Sequence, residues 1–150
     1  MDWTGDSYKS INGYLFGGRN PSKDVIHQVE CIDEAISDHI TRERFTVDRQ
    51  MRLSTFHVND MESLFDLNTG RTFEHIGYMA TSIKEGGIDV DGEDRIATRI
   101  LVPPGSAGVY VEPITQHPGE YEILLPRGRT LRFEGLGASD GRPIVYLRLL

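Results

Sequence analysis

Gly119-Glu120-Tyr121-Glu122-Ile123-Leu124-Leu125-Pro126 is the stretch on which the reading of this chain turns. A turn at His117-Pro118-Gly119 leads into it and Pro126 closes it, so the pattern predicts a strand over Tyr121 to Leu125. Side chains two residues apart on a strand share a face, so Glu120 and Glu122 project together. Paired carboxylates can divide labour. One stabilises a developing positive charge and the other orients or deprotonates an acceptor, as in glycoside cleavage. Glu-x-Glu also arises often by chance, and taken alone it reads as a solvated strand face.

Working outward, the second half of the chain reads as strands. Ile96 to Val102, Val109 to Glu112, Thr130 to Glu134 and Ile144 to Leu149 are β-rich runs separated by Pro-Gly or Gly-rich turns. Gly77 to Ile83 and Phe45 to Met51 extend the set. The first half is more helical. Ser7 to Phe16 predicts a short helix ending at Gly17-Gly18. A longer helix starts near Pro21-Ser22, with Val25, Val29, Ile32, Ile36 and Ile40 forming one apolar stripe. Asn59-Asp60 caps a short helix through Leu67. Helices first and strands later predict an α+β domain, not a parallel βαβ array.

The chain has 150 residues, which fits one domain over 1–150. Its formal net charge of −7 argues against a nucleic-acid partner held by bulk charge. The single cysteine, Cys31, allows no internal disulfide, and the simplest compartment is a reducing one. No apolar run suits a signal peptide or a membrane span, so no membrane partner is expected.

Three further features bear on chemistry. Arg49, at the end of Thr46-Val47-Asp48-Arg49, suits a bidentate grip on a pyrophosphate. Thr81 and Ser82, in Gly77-Tyr78-Met79-Ala80-Thr81-Ser82, are small hydroxyl residues able to fix a neighbouring carboxylate in one rotamer. Arg52 competes with Arg49 for the phosphate role. Other motifs are set aside. Gly135 to Gly141 has the wrong spacing for a dinucleotide fingerprint and reads as a hairpin turn. Lys84 to Glu93 reads as a polar loop, and the overlapping Asp89 to Asp94, with its glycine misplaced for a calcium loop, reads as solvated. His27, His39, His57, His75 and His117 show no metal-ligand spacing, so no metal is expected, and Cys31 reads as a packing residue.

The order arginine, hydroxyl strand, Glu-x-Glu resembles the Arg / Ser-Thr-Ser / Glu-x-Glu class of ADP-ribosyltransferases. It is most similar to the enzymatic components of clostridial-type binary toxins that modify actin and to their bacterial and phage relatives. Trp3-x4-Tyr8-x2-Ile11-Asn12-x2-Leu15 resembles that family's N-terminal NAD-contacting helix. Val102-Pro103-Pro104-Gly105, Gly108-x-Tyr110 and Pro118 to Phe133 resemble its C-terminal block. The resemblance implies two packed, mainly antiparallel sheets with N-terminal helices. It also implies NAD as the substrate that donates ADP-ribose.

On that resemblance, Glu122 is the catalytic glutamate bonded to the 2′-hydroxyl of the nicotinamide ribose, and Glu120 engages an arginine acceptor. Arg49 binds the phosphates, Arg95 approaches them, Thr81 lines the cofactor strand, and Ser82, one strand repeat from Ala80 on the same face, substitutes for the family's first serine in bracing Glu122. Tyr8, Asn12 and Trp3 contact NAD. Ile114 to Gly119 forms the loop that recognises a target protein, with actin and a bacterial protein as candidates, met in the cytoplasm of a host or target cell. Ala80 stands where the family has its first serine, and Asp48 where an aromatic residue is usual. These departures motivate an alternative reading, a transferase-fold module used for binding or assembly. A second alternative is an NAD glycohydrolase, with water as acceptor.

Overall fold

The computed structural model describes residues 23–84, 92, 94–110, 122–139 and 141–150. Helix α1 (Lys23–Ser37) carries Val29, Ile32 and Ile36 inward along one stripe. The stripe stops there. Ile40 is 55% exposed and lies beyond the helix, where it bridges to Ala107. The expected extension to Ile40 fails because Ser37 Oγ and the backbone N–H groups of Asp38 and His39 close the last turn on Glu34 and Ile36 carbonyls. The expected helix at Ser7 to Phe16 lies outside the described residues.

Strand β1 (Phe45–Arg52) runs into a 3-10 turn, Leu53–Phe56. The short helix α2 (Met61–Phe65) is capped as expected, with Asp60 accepting from the Ser63 N–H at 2.8 Å. The remaining strands are β2 (Thr72–His75), β3 (Met79–Ser82), β4 (Arg95–Val102), β5 (Val109–Tyr110), β6 (Glu122–Leu125), β7 (Arg129–Ser139) and β8 (Arg142–Leu149). Strand β2 was not expected from the sequence. Its single buried residue, Phe73, gives too short an alternation to stand out. The stretch Gly135 to Ser139, read as a turn, continues β7. A register shift between Phe133 and Gly135 absorbs the glycine, and the turn comes at Gly141, with φ +76.

The strands hydrogen-bond in the order β2-β7-β8-β4-β1-β3-β6-β5. All described pairs are antiparallel except β4 with β8, as an α+β chain requires. Strands β1 and β3 share one register pair, Asp48 opposite Ser82, so the order is nearly divided there. Phe73 of β2 at one edge and Met79 and Leu125 of β3 and β6 near the other edge enter one hydrophobic cluster. The sheet therefore doubles over its own core and forms two packed layers. Phe56 lies at the centre of this core, edge-on to Phe73 at 5.2 Å. A second cluster joins α1 to Tyr78 and Leu124, with Ala80 against it. Each large side chain fully buried in these clusters contributes about 1.5–3 kcal/mol. Among the described residues no helix is long and apolar enough to cross a membrane.

Candidate active site

Because pleated strands alternate, these two clusters label the two faces of β3 and β6. Met79 and Leu125 face the main core, whereas Ala80 and Leu124 face α1. Ser82 and Glu122 fall on the α1 side by the same alternation, and they are directly opposite each other in the β3–β6 register. Both are buried, at 1% and 8% exposure. Asp48 of β1 is the opposite neighbour of Ser82, and Arg99 of β4 is the opposite neighbour of Asp48. Directly opposed residues share a face. Arg99, Asp48, Ser82 and Glu122 therefore form one row across four strands.

The row is held by specific bonds. Arg99 donates from Nε to Asp48 Oδ1 at 2.9 Å and from Nη2 to Oδ2 at 3.0 Å. Ser82 Oγ accepts the Lys84 backbone N–H at 3.1 Å. Thr81 points the other way, to the main core. Its hydroxyl donates to the Ile123 carbonyl at 2.8 Å and fastens β3 to β6.

Arg49 sits within β1, not at its end, and alternation turns it away from the row. It shares a face with Val47 and Met51, which line the main core. Its Nη1 donates to the Ala80 carbonyl at 3.1 Å, in the seam where β1 and β3 part. Burial lowers its pKa to about 10, and its buried Nε has no partner among the described residues. A desolvated cation with an unanswered donor is suited to an anionic ligand. His75 stands near enough to feel that cation. Burial first and Arg49 second hold its imidazole down at about 4, against a hydrogen bond to the Gly77 carbonyl that favours the charged form.

Arg52 and Arg95, by contrast, share the face of the Glu122 row. They are direct cross-strand neighbours at the far end of β1 and β4. Like charges placed opposite each other repel. Among the described residues neither enters a salt bridge, so an anion between them would relieve the repulsion. Glu120, Trp3, Tyr8, Asn12 and the Ile114 to Gly119 loop lie outside the described residues. Among the described residues no group of three or more His, Cys, Asp or Glu side chains gathers to hold a metal.

Sequence reasoning marked Asp48 only as a departure and passed over Arg99. The signal was present, because Arg95, Ala97 and Arg99 alternate with the buried Ile96, Thr98 and Ile100 along β4. That places Arg99 on the polar face of a strand whose other face is core.

Comparison with known proteins gives the class to which this doubled sheet belongs. The chain matches the model of the ADP-ribosyltransferase exoenzyme family over residues 1–144, and it belongs to that family. It is 39% identical over 75 residues to a mono-ADP-ribosyltransferase C3 of Clostridium botulinum C phage. That match covers 49% of this chain and 30% of the relative, so it spans under a third of the relative's length. The fold is similar to that of Plx2a, an ADP-ribosyltransferase toxin from Paenibacillus larvae. The TM-score is 0.80 at 21% identity, over 99% of this chain and 82% of the other. It is also similar to C3stau2 from S. aureus, solved with NAD, at TM-score 0.78 and 21% identity over 100% and 84% of the two chains.

Proposed function

We propose that this chain is a mono-ADP-ribosyltransferase that takes NAD and transfers ADP-ribose to a protein side chain, an arginine. The observation that carries the proposal is the register of Ser82 opposite Glu122, both buried on one face. The C1′–nicotinamide bond breaks and nicotinamide leaves as a neutral molecule with the bonding pair. The ribose passes through an oxocarbenium-like state, then C1′ bonds to the acceptor nitrogen, which releases a proton. A fixed carboxylate lowers the barrier by meeting the positive charge as it develops. Glu122 supplies it, with Ser82 restricting its rotamer.

The diphosphate is held by arginines. Arg49 offers a desolvated guanidinium at the seam, with its Nε unanswered among the described residues. Arg52 and Arg95 offer a doubled positive charge on the Glu122 face. Glu120 takes the acceptor guanidinium, which is almost always protonated and needs a carboxylate to become nucleophilic. The acceptor belongs to a target protein recognised by Ile114 to Gly119, and residues 1–150 form one transferase domain.

The test is nicotinamide release by the pure chain, followed by mass spectrometry of a lysate treated with labelled NAD. Turnover with ADP-ribose on arginine is expected. Absence of turnover with or without lysate sinks the enzyme reading, and label on another residue type sinks the arginine assignment. Ala80 favours a second reading. Its methyl packs against the α1 cluster where the family's first hydroxyl would be, as suits a module that binds NAD without splitting it. Calorimetric NAD binding without nicotinamide release would establish that reading instead.

A further inference from the structure

Arg52 closes β1 and Arg95 opens β4, and strand register holds them directly opposite each other. Arg52 is exposed and Arg95 half-buried. Among the described residues neither side chain enters a salt bridge. Asp94 precedes Arg95 in the chain, but its main-chain carbonyl accepts the Leu53 N–H and its carboxylate bridges to neither arginine. Two cations are thus fixed face to face, an arrangement that costs stability until an anion joins them.

Their place on the sheet narrows what that anion is. Arg49 leaves β1 on the opposite face, three residues and about 10 Å before Arg52. Asp48 lies two strand spacings from Glu122, about 10 Å, and four residues from Arg52, about 14 Å. Glu122 and the arginine pair are therefore at most roughly 17 Å apart, and Arg49 reaches the seam that lies between them. The order carboxylate, seam arginine, arginine pair follows the order nicotinamide ribose, diphosphate, adenosine in an extended dinucleotide. Charge points the same way. Each phosphate of the diphosphate carries one negative charge, so Arg49 and one of the pair balance it, and one cation is left over.

We propose that Arg52 and Arg95 form a subsite for a phosphate monoester on the adenosine ribose, so that the chain also takes NADP and binds it more tightly than NAD. This rests on the reading of Glu122 and Arg49 as the NAD site, and it extends the substrate class of that site. A monoester carries a charge of about −1.5 to −2 near neutrality and three acceptor oxygens, enough to answer both guanidiniums. Arginine is also the residue that accommodates the 2′-phosphate where a fold distinguishes NADP from NAD. The bond chemistry is unchanged. The C1′–nicotinamide bond breaks, nicotinamide leaves with the bonding pair, C1′ bonds to the acceptor nitrogen and a proton is released. The additional phosphate travels with the transferred group.

The experiment measures nicotinamide release from NAD and from NADP by the full chain, Arg52→Gln and Arg95→Gln, with thermal melts for each. Calorimetry compares adenosine 2′,5′-bisphosphate with AMP on the same three proteins. In wild type, KM for NADP should lie about 10-fold below that for NAD with kcat within about 3-fold, and the bisphosphate should bind about 10-fold tighter than AMP. Each substitution should raise KM for NADP about 30-fold and KM for NAD about 3-fold, which erases the preference. Should one variant fail to fold, the other is read alone. A KM for NADP equal to or above that for NAD overturns the inference and leaves the functional reading standing. A preference that survives both substitutions overturns it as well, because the phosphate is then held elsewhere. Release of nicotinamide from neither dinucleotide sinks the functional reading. Calorimetry then decides the inference, and a bisphosphate bound no tighter than AMP overturns it.

Discussion

Ser82 lies directly opposite Glu122 across the β3–β6 pair, with 39 intervening residues in the chain, and both side chains are buried on the face that carries α1. Carboxylate and hydroxyl are thus brought together by strand register and not by sequence proximity. Each is fixed in the backbone frame of a hydrogen-bonded strand. A reaction in which charge develops at one atom needs that fixity.

Glu122→Gln keeps the shape and hydrogen-bonding capacity of the side chain and removes its charge. Nicotinamide release should fall by about 10²–10³-fold with little change in melting temperature, as for other losses of a preorganised transition-state group. Ser82→Ala should cost less, about 10-fold, because it loosens the carboxylate and leaves the charge in place. Steady-state kinetics on both variants tests this. Equal rates for wild type and Glu122→Gln would remove Glu122 from the mechanism.

The arginines should separate by face. Arg52→Gln and Arg95→Gln each remove one of two opposed cations and should raise KM for NAD more than they lower kcat. Without NAD each should be neutral or slightly stabilising, because a like-charge contact is relieved. Arg49→Gln should raise KM as well, yet also lower the melting temperature, because the guanidinium hydrogen bond to the Ala80 carbonyl ties β1 to β3. Kinetics paired with melts of the apo protein distinguish the two behaviours.

His75 predicts the acid limb of stability. Its pKa is about 4 in the fold, against the ordinary imidazole value of 6.5, with burial the main cause and Arg49 the second. The unfolded chain therefore binds the additional proton between those two values. Stability from this group is fully present above about pH 6.5 and is lost as pH falls towards 4, by up to about 3 kcal/mol. Denaturant titrations at pH 7, 5.5 and 4.5 should show the decline, and His75→Gln should flatten it. An unchanged slope in the variant would assign the acid sensitivity elsewhere.

Tyr78, next to the start of β3, ties that strand to helix α1. Its hydroxyl lies 2.5 Å from Asp33 Oδ1 and 3.1 Å from the Val29 carbonyl, and Arg127 grips the same Asp33 carboxylate from beyond β6. Burial first, then the hydrogen bond to Asp33, raise the Tyr78 pKa, so the phenol stays protonated and donates throughout the working range. Tyr78→Phe should cost about 1–2 kcal/mol, with coupling to Asp33→Asn in a double-mutant cycle. Additive effects in melts of the three variants would show that the contact carries no joint energy.

Much of the architecture was legible locally. Alternation in Arg95-Ile96-Ala97-Thr98-Arg99-Ile100 and the stripe Val29, Ile32, Ile36 are properties of a few consecutive residues, and the strands and helix formed there. Asp60 capped α2 because a cap needs only its own turn. The sequence also placed Glu122 in a strand over Tyr121 to Leu125 and singled out Arg49, Ser82, Glu120 and Glu122 as an ordered set, with Arg52 as a rival to Arg49.

What the sequence could not decide was which of those residues share a face. Side-chain alternation is fixed by the pleat within one strand, whereas register between strands is set by packing and hydrogen bonds among distant segments. A slip of one residue in β3 against β6 would have put Thr81 opposite Glu122 and turned Ser82 into the core. Tertiary structure chose Ser82. It set Arg52 and Arg95 on the Glu122 face, sent Arg49 to the seam, and placed the Asp48–Arg99 pair in the same row. Two layers of apolar side chains fit together in only one register, and that fit determined which charged groups meet.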